Sequence, residues 1–301
     1  MKKNLVYIFA LANVSLVFSQ KKATIINSDT GEKVPYVSIW VENENLQTTS
    51  NADGAFELNS AGSNRVLFSA VGFEDRKVVA DSIKDVVSLK PMAISLREVV
   101  IKSKRQTQEF SLGTFKRSDI GVYMGCGTIP CWIVARYFEY NDSYAQTPFI
   151  SRIRVLTSSN VKDAKFNVRL YGVNENGEPG GYIYDDNIIG IAKKGTKITE
   201  IDVSDLGIQF PETGFFLALE WFIIENNRYE FEITVEDSKD KQNGFSYEPS
   251  FGTIPLDTRG DAWIYTRGKW MEAWSNIPNK MLNKQLHNKY NLLAVALTLT
   301  N

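Results

Sequence analysis

Histidine is nearly missing from this chain, with one residue, His287, in 301. Any zinc site that needs two or three imidazoles is thereby excluded, and a histidine-dependent catalytic triad has a single candidate base. Cysteine is almost as scarce. Cys126 and Cys131 are too few for a small disulfide scaffold and lack the further soft ligands of a metal site. Charge of one sign is not in excess: 34 basic and 35 acidic residues leave a formal charge of −1, so no global positive field gathers nucleic acid or anionic lipid. The chain has no Gly-x-x-x-x-Gly-Lys-Ser/Thr loop, no dinucleotide fingerprint after a strand and no Gly-x-Ser-x-Gly elbow. Gly244-Phe245-Ser246-Tyr247-Glu248 comes nearest to the elbow and lacks its last glycine. Nothing reads as a long amphipathic helix, and no segment past the first twenty residues is long and apolar enough to cross a bilayer.

What is present points to strands. The composition is 43% hydrophobic and 12% aromatic, ordinary for a folded protein, and the length accommodates two domains with their own cores. Residues 1–19 read as a signal peptide. Met1-Lys2-Lys3 is a positive start, Leu5 to Phe18 a mostly apolar core, and Val17-Phe18-Ser19 ends in the small residue that cleavage requires. That stretch is shorter than the roughly 18 to 20 residues needed to span and carries Asn13 and Ser15. The expectation is cleavage before Gln20, with no lipid-anchoring cysteine following, and hence an exported chain in the periplasm, at the outer membrane or at the cell surface.

Residues 20–101 form the first expected domain. Short β-rich runs recur between turn residues at Ala23 to Ile26, Val37 to Val41, Leu46 to Ser50, Ala55 to Leu58, Arg65 to Ala70, Lys77 to Val79 and Val86 to Leu89. This is the spacing of a β-sandwich. Asp53-Gly54 reads as a hairpin turn between the polar run before it and the alternating Ala55-Phe56-Glu57-Leu58. The same stretch, Thr49-x-Asn51-x-Asp53-Gly54, looks like the start of a calcium loop, but Ser60 stands where the last carboxylate is needed, so the turn reading prevails.

Four motifs in order, Val34-Pro35-Tyr36-Val37, Thr49-Ser50-Asn51-Ala52-Asp53-Gly54-Ala55-Phe56, Leu67-Phe68-Ser69-Ala70-Val71-Gly72-Phe73 and Leu96-Arg97-Glu98-Val99-Val100-Ile101, resemble the carboxypeptidase regulatory-like domain of exported proteins in Bacteroidetes-type bacteria. The resemblance implies a prealbumin-like seven-stranded sandwich. It carries no catalytic residue and no cofactor, because the zinc chemistry of the family's namesake resides in a different domain.

Residues 102–109, Lys-Ser-Lys-Arg-Gln-Thr-Gln-Glu, have no apolar side chain to bury and read as a linker. Residues 110–301 read as a larger jelly-roll-like β-sandwich, with strands at Phe149 to Val155, Phe166 to Val173, Ile198 to Val203, Phe215 to Phe222, Tyr229 to Val235, Trp263 to Tyr265, Lys269 to Trp274 and Leu292 to Leu299. Phe215 to Leu219 is apolar on both faces and predicts a central strand. Tyr229 to Val235 alternates, which predicts a sheet with one wet face. Val168 to Val173 and Gly214 to Trp221 are similar to β domains that accompany the regulatory-like module in the same bacteria, with no activity attached.

Two constellations stand out. Cys126 and Cys131 flank a Gly/Pro loop four residues long, a spacing that suits a local disulfide in an oxidising compartment better than a redox pair. Around an Arg267-Gly268 turn, Tyr265 pairs with Trp270, and parity puts Trp263, Tyr265, Trp270 and Trp274 on one face. That face is either part of a core or a ligand surface, and a flat aromatic row would suit sugars. The expectation is therefore a non-enzymatic accessory or docking subunit of an outer-membrane-associated complex of receptor, secretion or gliding-motility type, needing no cofactor and no nucleic acid. A carbohydrate-binding role for the aromatic hairpin is the alternative. A glycoside hydrolase is the distant third, since nothing selects a carboxylate pair.

Overall fold

The computed structural model describes residues 20–92 other than 43, 45 and 61, together with 108–127, 133–234, 241–266, 268–273, 275–276 and 283–301. Among these residues every regular element is a strand or a short 3₁₀ turn. The first sandwich consists of β1 (Lys21–Asn27), β2 (Ser38–Val41), β3 (Gln47–Thr49), β4 (Ala55–Leu58), β5 (Arg65–Ser69), β6 (Arg76–Val79) and β7 (Val86–Leu89). One sheet runs β4-β1-β7 and the other β3-β2-β5-β6. Their inner faces meet in a core of Ile25, Ile39, Phe56, Leu58, Phe68 and Leu89, with the rings of Phe56 and Phe68 edge to face at 5.5 Å.

The Asp53-Gly54 turn is present, but it does not close a hairpin. β3 and β4 lie in opposite sheets, so the turn carries the chain across the sandwich. Its capping group is Asn51, whose Oδ1 accepts from the backbone N–H of Asp53 at 2.9 Å and of Ala55 at 3.0 Å. Gly54 has a φ of 71° and sits where a Cβ would meet the Ile25 carbonyl oxygen at 2.8 Å, which leaves glycine as the residue that fits.

The second sandwich consists of β8 (Glu109–Leu112), β9 (Val122–Cys126), β10 (Ile133–Phe138), β11 (Phe149–Ser159), β12 (Ala164–Val173), β13 (Pro179–Tyr182), β14 (Ile188–Ala192), β15 (Gly195–Asp202), β16 (Phe215–Trp221), β17 (Arg228–Thr234), β18 (Lys241–Leu256), β19 (Ala262–Thr266), β20 (Lys269–Glu272), β21 (Tyr290–Leu293) and β22 (Val295–Thr300). A seven-stranded sheet runs β13-β12-β16-β10-β19-β20 with β14 also on β12. An eight-stranded sheet runs β17-β18-β11-β22-β8, with β15 on β11 and β9 and β21 on β18. Ile150, Ile153, Phe166, Phe215, Leu217, Leu219, Phe251, Leu297 and Leu299 fill the space between the two. Glu109, the last residue of the stretch read as linker, already pairs with Thr300 in β8.

β16 is the central strand that its double-sided apolar pattern predicts, flanked by β12 and β10 and buried at every position. β17 departs from expectation. Its Phe231 and Ile233 are 36% and 47% exposed, the strand lying at the sheet edge with β18 as its one strand partner among the described residues. The run Leu292 to Leu299 is two strands: β21 pairs with β18, and past Ala294 the chain moves to β11 and β8 as β22.

Candidate interaction surface

The hairpin of β19 and β20 has the expected register, with Tyr265 opposite Trp270 and Trp263 opposite Glu272. Gly268, at a φ of 81°, supplies the left-handed turn residue. Alternation then sorts the hairpin. Ala262 and Ile264 point into the core between the sheets, while Trp263, Tyr265 and Trp270 point to the outer face of the seven-stranded sheet. Trp274 and Cys131 lie outside the described residues.

That outer face is a second, smaller core. Ile133, Ala135, Tyr171, Phe216 and Ala218 are buried at its centre, with Tyr137, Val173, Tyr182, Trp263, Tyr265 and Trp270 packed around them. The two alanines leave a low floor over which the larger rings fold. Trp270 meets Tyr171 at 5.2 Å and 78°, Tyr265 meets Trp270 at 5.3 Å and 62°, and Trp263 meets Phe216 at 5.7 Å and 79°. These are edge-to-face contacts, the arrangement favoured by the ring quadrupole. They do not make the flat row that a sugar face needs. Burial pushes the Tyr265 hydroxyl up to about 12, helped by the negative charge of Asp75 from the first sandwich.

A charged group is buried in the same face. Arg169 on β12 and Glu220 on β16 are each 2% exposed, and the guanidinium grips the carboxylate with two bonds, Nε to Oε2 at 2.7 Å and Nη2 to Oε1 at 2.9 Å. Desolvation works against the buried guanidinium. The attraction of Glu220, with lesser contributions from Tyr182 and Tyr171, more than reverses this and holds Arg169 well above its usual range, so the guanidinium stays charged. Arg169 also donates to the Tyr182 hydroxyl at 2.6 Å.

The first sandwich sits on this surface. Ser38 donates to Glu220 through its hydroxyl, and Trp40 joins the aromatic cluster 5.9 Å from Tyr265. Thr49 and Ile223 exchange two bonds, the Ile223 N–H to Thr49 Oγ1 at 2.9 Å and the Thr49 N–H to the Ile223 carbonyl at 3.3 Å. Tyr36, held at a φ of 56°, stacks on the fully buried Phe222 with ring centres 4.5 Å apart, and its hydroxyl accepts from Lys165 Nζ at 3.2 Å. At Gly72 a Cβ would lie 2.5 Å from the Asp185 carbonyl oxygen, so the two bodies touch backbone to backbone there. Every module-joining residue named here lies outside the hairpin highlighted from sequence, apart from Tyr265. Tyr36, Thr49 and Gly72 belong to motifs that carry the family resemblance, which gave no sign of a role in joining the two bodies.

Two small cavities border the surface. One of about 50 Å³ lies beneath the hairpin, between Ala135, Trp263, Ala273, Asn276 and Asn291. The other, about 10 Å³, lies on the seam between Ser38, Trp40 and Glu220. Both are far below the few hundred Å³ of a typical small-molecule site. Among the described residues, no three His, Cys, Asp or Glu side chains are grouped to hold a metal ion, and no helix is long and apolar enough to cross a membrane. Cys126, at the end of β9, is 2% exposed, and no described cysteine is free.

Residues 22–101 match the CarboxypepD_reg-like domain. No curated protein matches the chain. Among solved structures, the chain is similar to the cysteine protease and lectin-like domains of Cwp84, a surface layer associated protein of Clostridium difficile, at 11% identity and a TM-score of 0.35, over 85% of this chain and 45% of that one. It is also similar to the infectious bursal virus derived T=1 particle, at 8% identity and a TM-score of 0.25, over 93% of this chain and 61% of that one. The chain thus spans less than two thirds of either, and neither likeness bears on activity.

Proposed function

We propose, taking as premise that residues 22–101 are a carboxypeptidase regulatory-like domain, that this chain is a non-enzymatic exported protein serving as an accessory or docking subunit of an outer-membrane-associated complex. The observation that carries this reading is the seam. The aromatic face of the second sandwich, which would be its best surface for a ligand, is occupied by its own edge-to-face rings and by Ser38, Trp40 and Thr49 of the first. Two sandwiches fixed by stacked rings, a serine bonded to a buried carboxylate and backbone contact make a rigid spacer, and a rigid spacer suits assembly work better than turnover. The leader pattern of residues 1–19 supports export to the periplasm or outer membrane. In that oxidising setting we assign a Cys126–Cys131 disulfide, consistent with the absence of a described free thiol.

Crosslinking in intact cells followed by affinity purification tests the role. Recovery of a defined envelope complex is the expected result. A clean monomer retained on polysaccharide columns, losing retention when Trp270 is replaced by alanine, transfers the function to the carbohydrate-binding alternative.

A further inference from the structure

The edge strand β17 has two unlike faces. Tyr229, Phe231 and Ile233 share one, with Tyr229 and Phe231 stacked at 5.9 Å and the Phe231 ring lying over Gly244 of β18, where a Cβ would come within 2.7 Å of it. Arg228, Glu230 and Glu232 share the other. Strand β17 closes one end of the eight-stranded sheet, so along its outer side the backbone N–H and C=O groups have no strand partner among the described residues. An uncovered edge with exposed aromatic and β-branched residues is a template for strand addition.

We propose that this edge pairs with the same edge of a second copy of the chain, antiparallel and two-fold, with Glu230 on the symmetry axis. Side-chain faces match across an antiparallel ladder only in alternate registers. With Glu230 on the axis, Arg228 of each copy stands opposite Glu232 of the other and Tyr229 opposite Phe231, giving two ion pairs against one Glu230–Glu230 contact on one face and two aromatic pairs on the other. Moving the axis to Phe231 instead sets Glu230 opposite Glu232 twice, which is repulsive. An axis on Tyr229 would also set Arg228 opposite Glu230 but leaves only residues 228 to 230 of each strand opposite one another, so charge and strand overlap together select the axis on Glu230. Within one copy Arg228 already pairs with Glu230 at 2.9 Å and Glu232 with Lys241 at 2.6 Å, which steadies these side chains while leaving them exposed to a partner. Five residues per copy make a small contact, so the dimer is concentration-dependent, in roughly the micromolar range or weaker.

Sedimentation velocity of the full chain across a concentration series reads this directly. Dimer is expected to accumulate with concentration. Glu232→Arg sets Arg opposite Arg228 twice and is expected to weaken association about tenfold, as is Arg228→Glu, while the double charge swap restores it. A Glu230→Cys variant, in which the axis residue faces itself, is expected to crosslink to itself under mild oxidation far more readily than Glu232→Cys, and it decides the matter should a charge variant fold poorly. A chain monomeric at every concentration, a dimer indifferent to Glu232→Arg, a double swap as weak as its parents, or an edge that captures a different protein while the chain stays single would each overturn the proposal.

Discussion

Tyr36 and Phe222 lie face to face, 4.5 Å between ring centres and 11° between planes, one from each sandwich. Tyr36 reaches this position only by adopting a left-handed backbone, at a φ of 56°. For a residue with a Cβ that conformation costs on the order of 1 kcal/mol, so the contact must return more than it consumes.

Phe222→Ala, which empties a fully buried ring site, is expected to destabilise the chain by about 3–5 kcal/mol in urea unfolding. Tyr36→Gly should cost about 1 kcal/mol less than Tyr36→Ala, because glycine loses the ring but not the backbone fit. Equal costs for the two variants would show that the left-handed conformation is not strained.

Removing one member of the Arg169–Glu220 pair leaves a buried charge without its partner. Glu220→Leu alone should cost about 3–5 kcal/mol, whereas Arg169→Met with Glu220→Leu should cost much less, since apolar pairs often replace buried ion pairs without loss. A thermal or urea double-mutant cycle measures this. Additive single costs would mean that the two side chains do not act as a unit.

Alkaline pH should loosen the molecule in a window set by Tyr265. Its hydroxyl ionises near 10 in the unfolded chain and at about 12 in the folded one. Between those values the unfolded state has lost the proton and the folded state has kept it, so stability is intact below pH 10 and falls by on the order of 2 kcal/mol as pH rises to 12. Tyr265→Phe should make that part of the stability profile shallower, read by urea titration at stepped pH, with the slope that remains coming from tyrosines such as Tyr171 whose hydroxyls burial also pushes up.

Gly190 on β14 faces the ring of Phe166, where a Cβ would come within 2.2 Å. Gly190→Ala should therefore cost about 1–3 kcal/mol by overpacking, and Phe166→Leu in the same chain should recover part of it. Calorimetric melting temperatures of the three variants settle whether the ring has room to move.

Much of this architecture was legible in the sequence, because strand patterns are local. Ala55 to Leu58 and Val86 to Leu89 alternate between clear turn residues and have the bounds that the pattern predicts. Asn174 to Gly177 turns as expected, with Asn174 Oδ1 accepting from the N–H groups of Asn176 and Glu178. Strand β18 was not legible. Gly244, Pro249, Gly252 and Pro255 break its pattern, and neighbours on either side, β17, β9, β11 and β21, hold it extended regardless. Strand β10 could have been found from Ile133-Val134-Ala135, but the charged Arg136 interrupts the run. In the fold that guanidinium bonds the carbonyls of Leu293 and Val295 at 3.1 and 3.0 Å.

The aromatic hairpin was legible in register and not in role. Parity can place Trp263 and Tyr265 on one side of a strand, but it cannot say what lies against them. That depends on partners remote in the chain: Ser38 and Glu220 are 182 residues apart. Glu220 itself looked like the polar end of an apolar run, with no local sign that Arg169 would enclose it.

Strand β16 shows Phe215, Leu217, Leu219 and Trp221 to one interior and Phe216, Ala218 and Glu220 to another. Deleting a single residue upstream of it would scarcely change its hydrophobicity. It would nevertheless drive a carboxylate into the greasy interior and an indole onto the serine that joins the two bodies. For this ribbon phase matters more than composition, and its two sides can drift over evolutionary time only in step.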